Sequence, residues 1–502
     1  MPARLQPQAL SLLPAAVGRP AYDRARLRAG IVHLGIGAFH RAHQAEITDR
    51  VLADPAQSAW GIVGVSLRQP GTRDALAPQQ GLYTLALRDA GPDGSLREQL
   101  RVVGAVLQVL VASEDPQAVL ERIAHPDTRI VSLTITEKGY SHDPATGALR
   151  WDDPDVEHDL ARPDAPRGAL GMLVHGLALR HARGMAPLTL LSCDNLPANG
   201  DTLRGLVLAF ADRVDPALAR WIGLQCTFPN SMVDRIVPRT SDADRARIAT
   251  QLGMADAWPV VGEPFLSWVI EDRFAQGRPA WDRVEGVRFV ARAAPYERIK
   301  LRMVNGSHST LAYLGAMAGL ETVPEAMAQP WLHKLVERLL RDEVEPTLAD
   351  AADFDAAAFR AQLLQRFANP ALPHRTQQIA MDGSQKVPQR LLDTVRDRLR
   401  AGGTIELLAL AVAGWLHYLR GYDEHGARYA IDDPLARPLA ERLAEAAAHA
   451  LAGPQAEAAC LVAFRPVFGD LEGNPALIAA VTRHLGLLRT RGVAATVKEA
   501  LA

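Results

Sequence analysis

Up to about Pro295, apolar positions come in short β-branched runs separated by polar or helix-patterned stretches. Residues 31–34 predict a strand running into Gly35-Ile36-Gly37, and residues 40–52 continue as a helix. A second strand is expected over 61–67 and hairpin strands over 82–87 and 100–110. A helix follows over 118–124, then two further apolar strands over 130–136 and 188–192. Such alternation of strand and helix predicts a largely parallel, doubly wound α/β sheet. Beyond Pro295 the pattern changes to long Ala/Leu/Arg/Glu segments with few β-branched runs. Helices are expected over 296–318, 330–341, 356–367, 388–401, 406–419, 434–452 and 475–492. The Ala-rich stretch 443–459 reads as an exposed helical pair. A boundary near residue 290 divides the chain into domains 1–290 and 291–502, with no internal repeat.

Composition narrows the class. The 502 residues are 48% hydrophobic and 22% charged, with a formal net charge of -2, an ordinary globular mix that favours neither nucleic acid nor a membrane surface as partner. Cys193, Cys226 and Cys460 form no CxxC pair and are too few for a disulfide framework. With no signal-like N-terminal segment, a cytoplasmic setting is expected. The longest apolar run, 407–416, is too short for a membrane span and reads as a buried helix. No heptad pattern argues for association, so a monomer is expected.

Candidate chemistry begins at Gly35-Ile-Gly37-Ala-Phe39-His40. A GxG between strand and helix lets the backbone approach a pyrophosphate, although His40 stands where the third glycine of GxGxxG belongs. The end of the second strand, Leu67-Arg68-Gln69-Pro70-Gly71-Thr72-Arg73, lacks the acid that usually binds an adenosine ribose. Its arginines are either solvated loop charges or partners for a ribose 2′-phosphate, which leaves NAD and NADP both open.

Lys300-Leu-Arg-Met-Val-Asn305-Gly-Ser-His308 places an amine, an amide and an imidazole on one expected helix. At ~100° per residue they share an arc of roughly 140° that includes Glu297. A lysine brought to a pKa of roughly 7–8 can take a proton from an alcohol, and an amide can stabilise the developing oxyanion. By spacing alone Lys300 reads as a surface lysine, since lysine is mostly exposed. Asn195, in Ser192-Cys-Asp-Asn195, serves equally as an oxyanion donor or a turn former. The YxxxK spacing of Tyr296 and Lys300 is set aside as a short-chain dehydrogenase signature, because those chains are shorter and space their glycines differently. A zinc site finds no cysteine near a His/Glu cluster. A phosphoryl-transfer enzyme would want a Walker loop or acid cluster, and neither is present.

Six segments together resemble the mannitol dehydrogenase family, the polyol-specific long-chain dehydrogenases. They are Gly35-Ile-Gly-Ala-Phe-His-Arg-Ala-His-Gln44, Thr134-Ile-Thr-Glu-Lys-Gly-Tyr140, Ser192-Cys-Asp-Asn-Leu196, Phe228-Pro-Asn-Ser-Met-Val-Asp-Arg235, Lys300 to His308, and Asp382-Gly-Ser-Gln-Lys386. The resemblance implies an N-terminal Rossmann-type domain, a mostly α-helical C-terminal domain and an active site between them. It implies metal-independent hydride transfer with a nicotinamide cofactor. Lys300 would be the acid/base, Asn195 and Asn305 the oxyanion-stabilising pair, and Glu297 the proton-path residue. Asp234, His308 and Lys386 would contact substrate hydroxyls, while Gly35, Gly37 and Phe39 line the cofactor and Arg68 lies near its adenosine end.

The resemblance leaves several substrates open: mannitol or fructose, arabinitol, or a hexuronate such as D-fructuronate. The arginine expected eight residues before the lysine of the DGSxK segment is Gln378 here. Glu137-Lys-Gly-Tyr140, Lys300-Leu-Arg-Met and His374-Arg-Thr resemble the fructuronate reductase branch, and Arg375 is expected to pair with a substrate carboxylate. A catalytically silent nucleotide-binding sensor is the alternative from another class, but a sensor need not keep Lys300, Asn195 and Asn305 together.

Overall fold

The computed structural model describes residues 3–91, 95–143, 146–348, 354–448 and 453–502. By contacts the chain divides into two compact units, Met1–Ala294 and Pro295–Ala502. The first contains strands β1 (Ile31–Leu34), β2 (Ile62–Ser66), β3 (Tyr83–Ala90), β4 (Leu96–Val103), β5 (Val106–Val111), β6 (Ile130–Leu133), β7 (Thr189–Ser192), β8 (Ser231–Asp234), β9 (Val260–Gly262), β10 (Ser267–Glu271) and β11 (Val287–Val290).

Five of them form a fully parallel sheet in the order β5-β2-β1-β6-β7. Strands β1, β6 and β7 are buried along their whole length, as their continuous apolar runs require. Successive side chains of β1 alternate between layers: Ile31 belongs to one buried cluster, with Ile47, Trp268 and Trp281, and Val32 to another, with Ile123, Leu173 and Phe210. The chain runs outward from β1 through β2 to β5, then returns to the other side of β1 as β6 and β7. The order therefore reverses between β1 and β6, where open α/β sheets bind their ligands. Two three-stranded sheets, β4-β3-β9 and β11-β10-β8, complete the unit.

Several expected elements are corrected. The helix over 40–52 is two, Ala38–Ala42 and Gln44–Val51, broken at His43, whose φ of -126° and ψ of -96° are not helical. The expected strand over 100–110 is two strands in different sheets: β4 pairs antiparallel with β3, and β5 joins the parallel sheet beside β2. The strand over 130–136 ends at Leu133, and Thr136 has a φ of +65°.

The second unit is helical. Gly306–Met317 is buried at every position, as is most of Glu406–Tyr418, so both are core helices rather than amphipathic surface ones. The periodicity over 296–318 resolves into Ala294–Ile299, a π-helical turn Lys300–Asn305, and Gly306–Met317. Similar π turns occupy Leu339–Val344 and Pro388–Leu392. The long C-terminal helix extends over Pro475–Ala500, with non-helical backbone at Gly492. Of the expected helical pair over 443–459, Ala436–Ala448 and Pro454–Val462 are helices, and residues 449–452 lie outside the described residues. Ala446 and Ala458 are buried, so the pair is not exposed throughout. Among the described residues, no helix is long and apolar enough to cross a membrane.

Candidate active site

In the first unit, the candidate residues gather at the C-terminal edge of the parallel sheet. The Gly35 N–H donates to the Val65 carbonyl of β2 (2.8 Å), and the Gly37 N–H to the Gly35 carbonyl (2.6 Å). Gly35 has a φ of +93°, and a Cβ there would run into the Thr134 carbonyl that follows β6. The loop is thus held between β2 and β6, the two neighbours of β1. At Gly37 a Cβ would meet nothing nearer than Gly35 O, at 3.8 Å. That glycine is not required by internal packing, and its open face suits a dinucleotide passing close to the backbone.

His40, the departure from GxGxxG, stacks on His33 with ring centroids 3.4 Å apart. Burial holds both rings well below the usual histidine pKa, His33 at about 3, so both are neutral near pH 7. His33 Nδ1 bonds Ser132 Oγ (2.8 Å), and its Nε2 lies 3.2 Å from the Gly35 carbonyl. The imidazole pair supports the glycine loop from beneath. The sequence signal was a histidine inside an otherwise apolar strand. Phe39 stacks on His43 at 5.0 Å. Arg68 is exposed and donates to Asp155 Oδ2 (2.8 Å), while Arg73 pairs with Asp74 and Glu114.

Beyond β7, the Asp194 carboxylate accepts from the N–H groups of Ile135 (2.9 Å) and Thr136 (3.0 Å) and from the Tyr140 hydroxyl (2.9 Å). These bonds hold the left-handed backbone at Thr136, a strained setting for a β-branched residue. The buried Asn199 amide donates to the carbonyls of Ser192 (3.1 Å), Asp194 (3.1 Å) and Ser231 (2.9 Å). Asn195, which is exposed, therefore sits on a turn anchored to β6, β7 and β8. Asp234 ends β8 and is buried. Asp194, Tyr140 and Asn199 were not singled out from sequence, although each belongs to or adjoins a quoted motif.

Burial raises the Asp194 carboxyl from 3.8 to about 6. Between those values the folded chain keeps a proton that the unfolded chain has lost. The stabilisation is complete below the unfolded pKa and lost as pH rises through about 6. Asp194→Asn should therefore flatten the fall in stability from about pH 4 to pH 7, by about 2–3 kcal/mol. Chemical denaturation across that range checks this, and an unchanged slope in the variant would refute it.

In the second unit, Lys300 and Asn305 open and close the π turn and are only 8% and 7% exposed. The surface reading of Lys300 is thereby corrected. The ideal helical wheel also fails here, because i→i+5 bonding adds a residue to the turn. A Cβ on Gly306 would come within 2.9 Å of the Arg390 carbonyl, so this π turn packs closely on the one at Pro388–Leu392. Glu297 is half-buried on Ala294–Ile299.

His308 is buried, with its ring 4.2 Å from Phe367 and edge-on to His374 at 5.6 Å. Burial, then the charges of His374, Arg366, Arg390 and Lys300, keep it well below its usual pKa and neutral. Among the described residues, its Nε2 has no hydrogen-bond partner. Lys386 Nζ donates to the carbonyls of Met381 (2.6 Å) and Ile379 (3.4 Å) from the short helix Gly383–Val387. The Arg375 side chain is 71% exposed and faces Glu321 at 3.7 Å. Gln378 is likewise exposed. Among the described residues, no three His, Cys, Asp or Glu side chains gather as metal ligands.

A Rossmann-type sheet with a glycine loop at its reversal, and a helical unit burying a lysine, an amide and an imidazole, define the class as a two-domain dinucleotide-binding oxidoreductase. Family models for the mannitol dehydrogenase Rossmann domain and C-terminal domain match residues 29–283 and 292–488. The chain belongs to the mannitol dehydrogenase family and is an oxidoreductase acting on CH–OH groups. It is 46% identical over 423 residues to D-mannonate oxidoreductase of Escherichia coli (strain K12), covering 84% of this chain and 86% of that one. It is 40% identical over 489 residues to mannitol dehydrogenase 2 of Saccharomyces cerevisiae, covering 96% and 94%. The solved structure of Pseudomonas fluorescens mannitol 2-dehydrogenase, a ternary complex with NAD and D-mannitol, superposes with a TM-score of 0.89 at 39% identity, covering 99% of each chain.

Proposed function

We propose that the protein interconverts a ketohexuronate and its aldonate, D-fructuronate and D-mannonate, with NAD as cofactor. The observation that carries this reading is the burial of Lys300, Asn305 and His308 around one π turn. The likeness to D-mannonate oxidoreductase supports the substrate. When bound, NAD would supply the hydride in reduction and take it up in oxidation. Gly35, Gly37 and Phe39, on the loop after β1, would hold it, with Arg68 as a further contact.

In reduction the Lys300 ammonium donates its proton to the carbonyl oxygen, and in oxidation the neutral amine takes that proton back. The Asn305 and Asn195 amides donate to the oxygen as it becomes an alkoxide. Glu297 passes the proton between Lys300 and water. Asp234, His308 and Lys386 bind substrate hydroxyls. The neutral His308 ring can donate from one nitrogen and accept at the other.

A second reading, mannitol 2-dehydrogenase acting on mannitol and fructose, is favoured by the structural likeness to that enzyme. The test is nicotinamide absorbance during reduction of D-fructuronate and of D-fructose, each with NADH and NADPH. Preference for fructuronate with NADH is expected. Preference for fructose would transfer the protein to the second reading. Activity with neither, but with an arabinitol-derived ketose, would remove both.

A further inference from the structure

The charges of Arg366, Arg390 and Lys300 all act on His308. Phe367 stacks on the His308 ring at 4.2 Å, and Arg366, the residue before it, is buried. From the other side, Arg390 Nη1 donates to the hydroxyl of Ser309 (3.2 Å), the residue after His308. His374 completes the enclosure edge-on, and Lys386 acts on it in turn. Two imidazole nitrogens here, His308 Nε2 and His374 Nδ1, are buried without a hydrogen-bond partner among the described residues. Buried polar nitrogens of this kind are normally satisfied, by ligand or water when not by protein.

We propose that Arg366, Arg390 and His374 form the subsite for the carboxylate of the sugar acid, with His308 bonding the adjoining hydroxyl. A guanidinium presents paired N–H donors in a plane that matches the two oxygens of a carboxylate. Where solvent access is restricted that match gains strength, because little water competes for either partner. A hydroxymethyl group in the same place makes a single bond to one donor. The subsite thus separates sugar acids from polyols by charge.

The inference rests on the hexuronate reading, and the experiment keeps the two distinguishable. The ratio of kcat/KM for D-fructuronate to that for D-fructose is measured in the full-length wild type, Arg390→Met, Arg366→Met and His374→Phe. D-Fructose 6-phosphate serves as a third substrate. In the wild type the ratio should favour fructuronate; if it favours fructose, the hexuronate reading itself fails. In Arg390→Met and Arg366→Met the ratio should fall by about thirtyfold, consistent with loss of a charge-assisted bond. In His374→Phe it should fall by less. An unchanged ratio in the arginine variants, in a wild type that prefers fructuronate, would overturn the subsite alone. A wild-type preference for the phosphate ester would overturn carboxylate as its ligand.

A second measurement covers variants that fold poorly. D-Mannonate should raise the melting temperature of the wild type in the presence of NADH more than D-mannitol does, and sodium chloride should erode that difference. Equal, salt-insensitive protection by both would count against the subsite.

Discussion

Lys300→Ala is expected to lower kcat by about three to four orders of magnitude, the scale set by losing a positioned general acid/base. NADH affinity, measured by fluorescence titration, should stay within about twofold, because the dinucleotide loop belongs to the first unit. Two further variants separate acid/base chemistry from packing. Lys300→Arg keeps a cation of similar reach, but its guanidinium does not deprotonate, so it should be nearly as inactive. Added methylamine should restore part of the turnover in Lys300→Ala, since a small amine fits the space left by the side chain. Full activity in Lys300→Ala would remove the proposed base. Rescue by arginine but not by methylamine would make Lys300 a binding charge only.

Gly35→Val should cost the protein either cofactor affinity or stability. The backbone at Gly35 has a φ of +93°, and the first side-chain carbon would collide with the Thr134 carbonyl. A β-branched residue in that conformation costs about 3 kcal/mol. Either the loop moves, which weakens NADH binding by about a hundredfold, or it holds and the unit loses that much stability. Gly205→Ala is the matched control. It lies within the helix Asn199–Val214, and its added methyl meets nothing within 4 Å. That substitution should stabilise the protein by about 0.5–1 kcal/mol. Equal behaviour of the two variants in NADH titration and thermal melting would mean that the loop tolerates displacement.

Much of the architecture was legible because it depends on local pattern. The run Ile-Val-His-Leu before Gly35 is a buried parallel strand, and the apolar stretch 407–416 lies inside the core helix Glu406–Tyr418. The π turn at Lys300–Asn305 was not legible. Its residues carry ordinary helical periodicity, and the extra residue in the turn accompanies the close approach of Gly306 to Arg390, a contact far apart in sequence. The break at His43 is of the same kind, set by that ring packing on Phe39 and Trp268.

Residue type alone misplaced one cation. Lys300 suited the surface by composition yet is buried. The Asp194 clamp and the His33–His40 stack escaped for a related reason. Their partners, Thr136, Tyr140 and Ser132, lie on other strands or loops and meet them only through the sheet.

The most direct test of the chemistry is to follow the hydride itself. Reduction of D-fructuronate by NADH deuterated at both C4 positions, with EDTA present, should give D-mannonate with one deuterium on the newly formed carbinol carbon, read by NMR. Product carrying no deuterium there, or turnover that stops when EDTA is added, would contradict metal-independent hydride transfer from the nicotinamide.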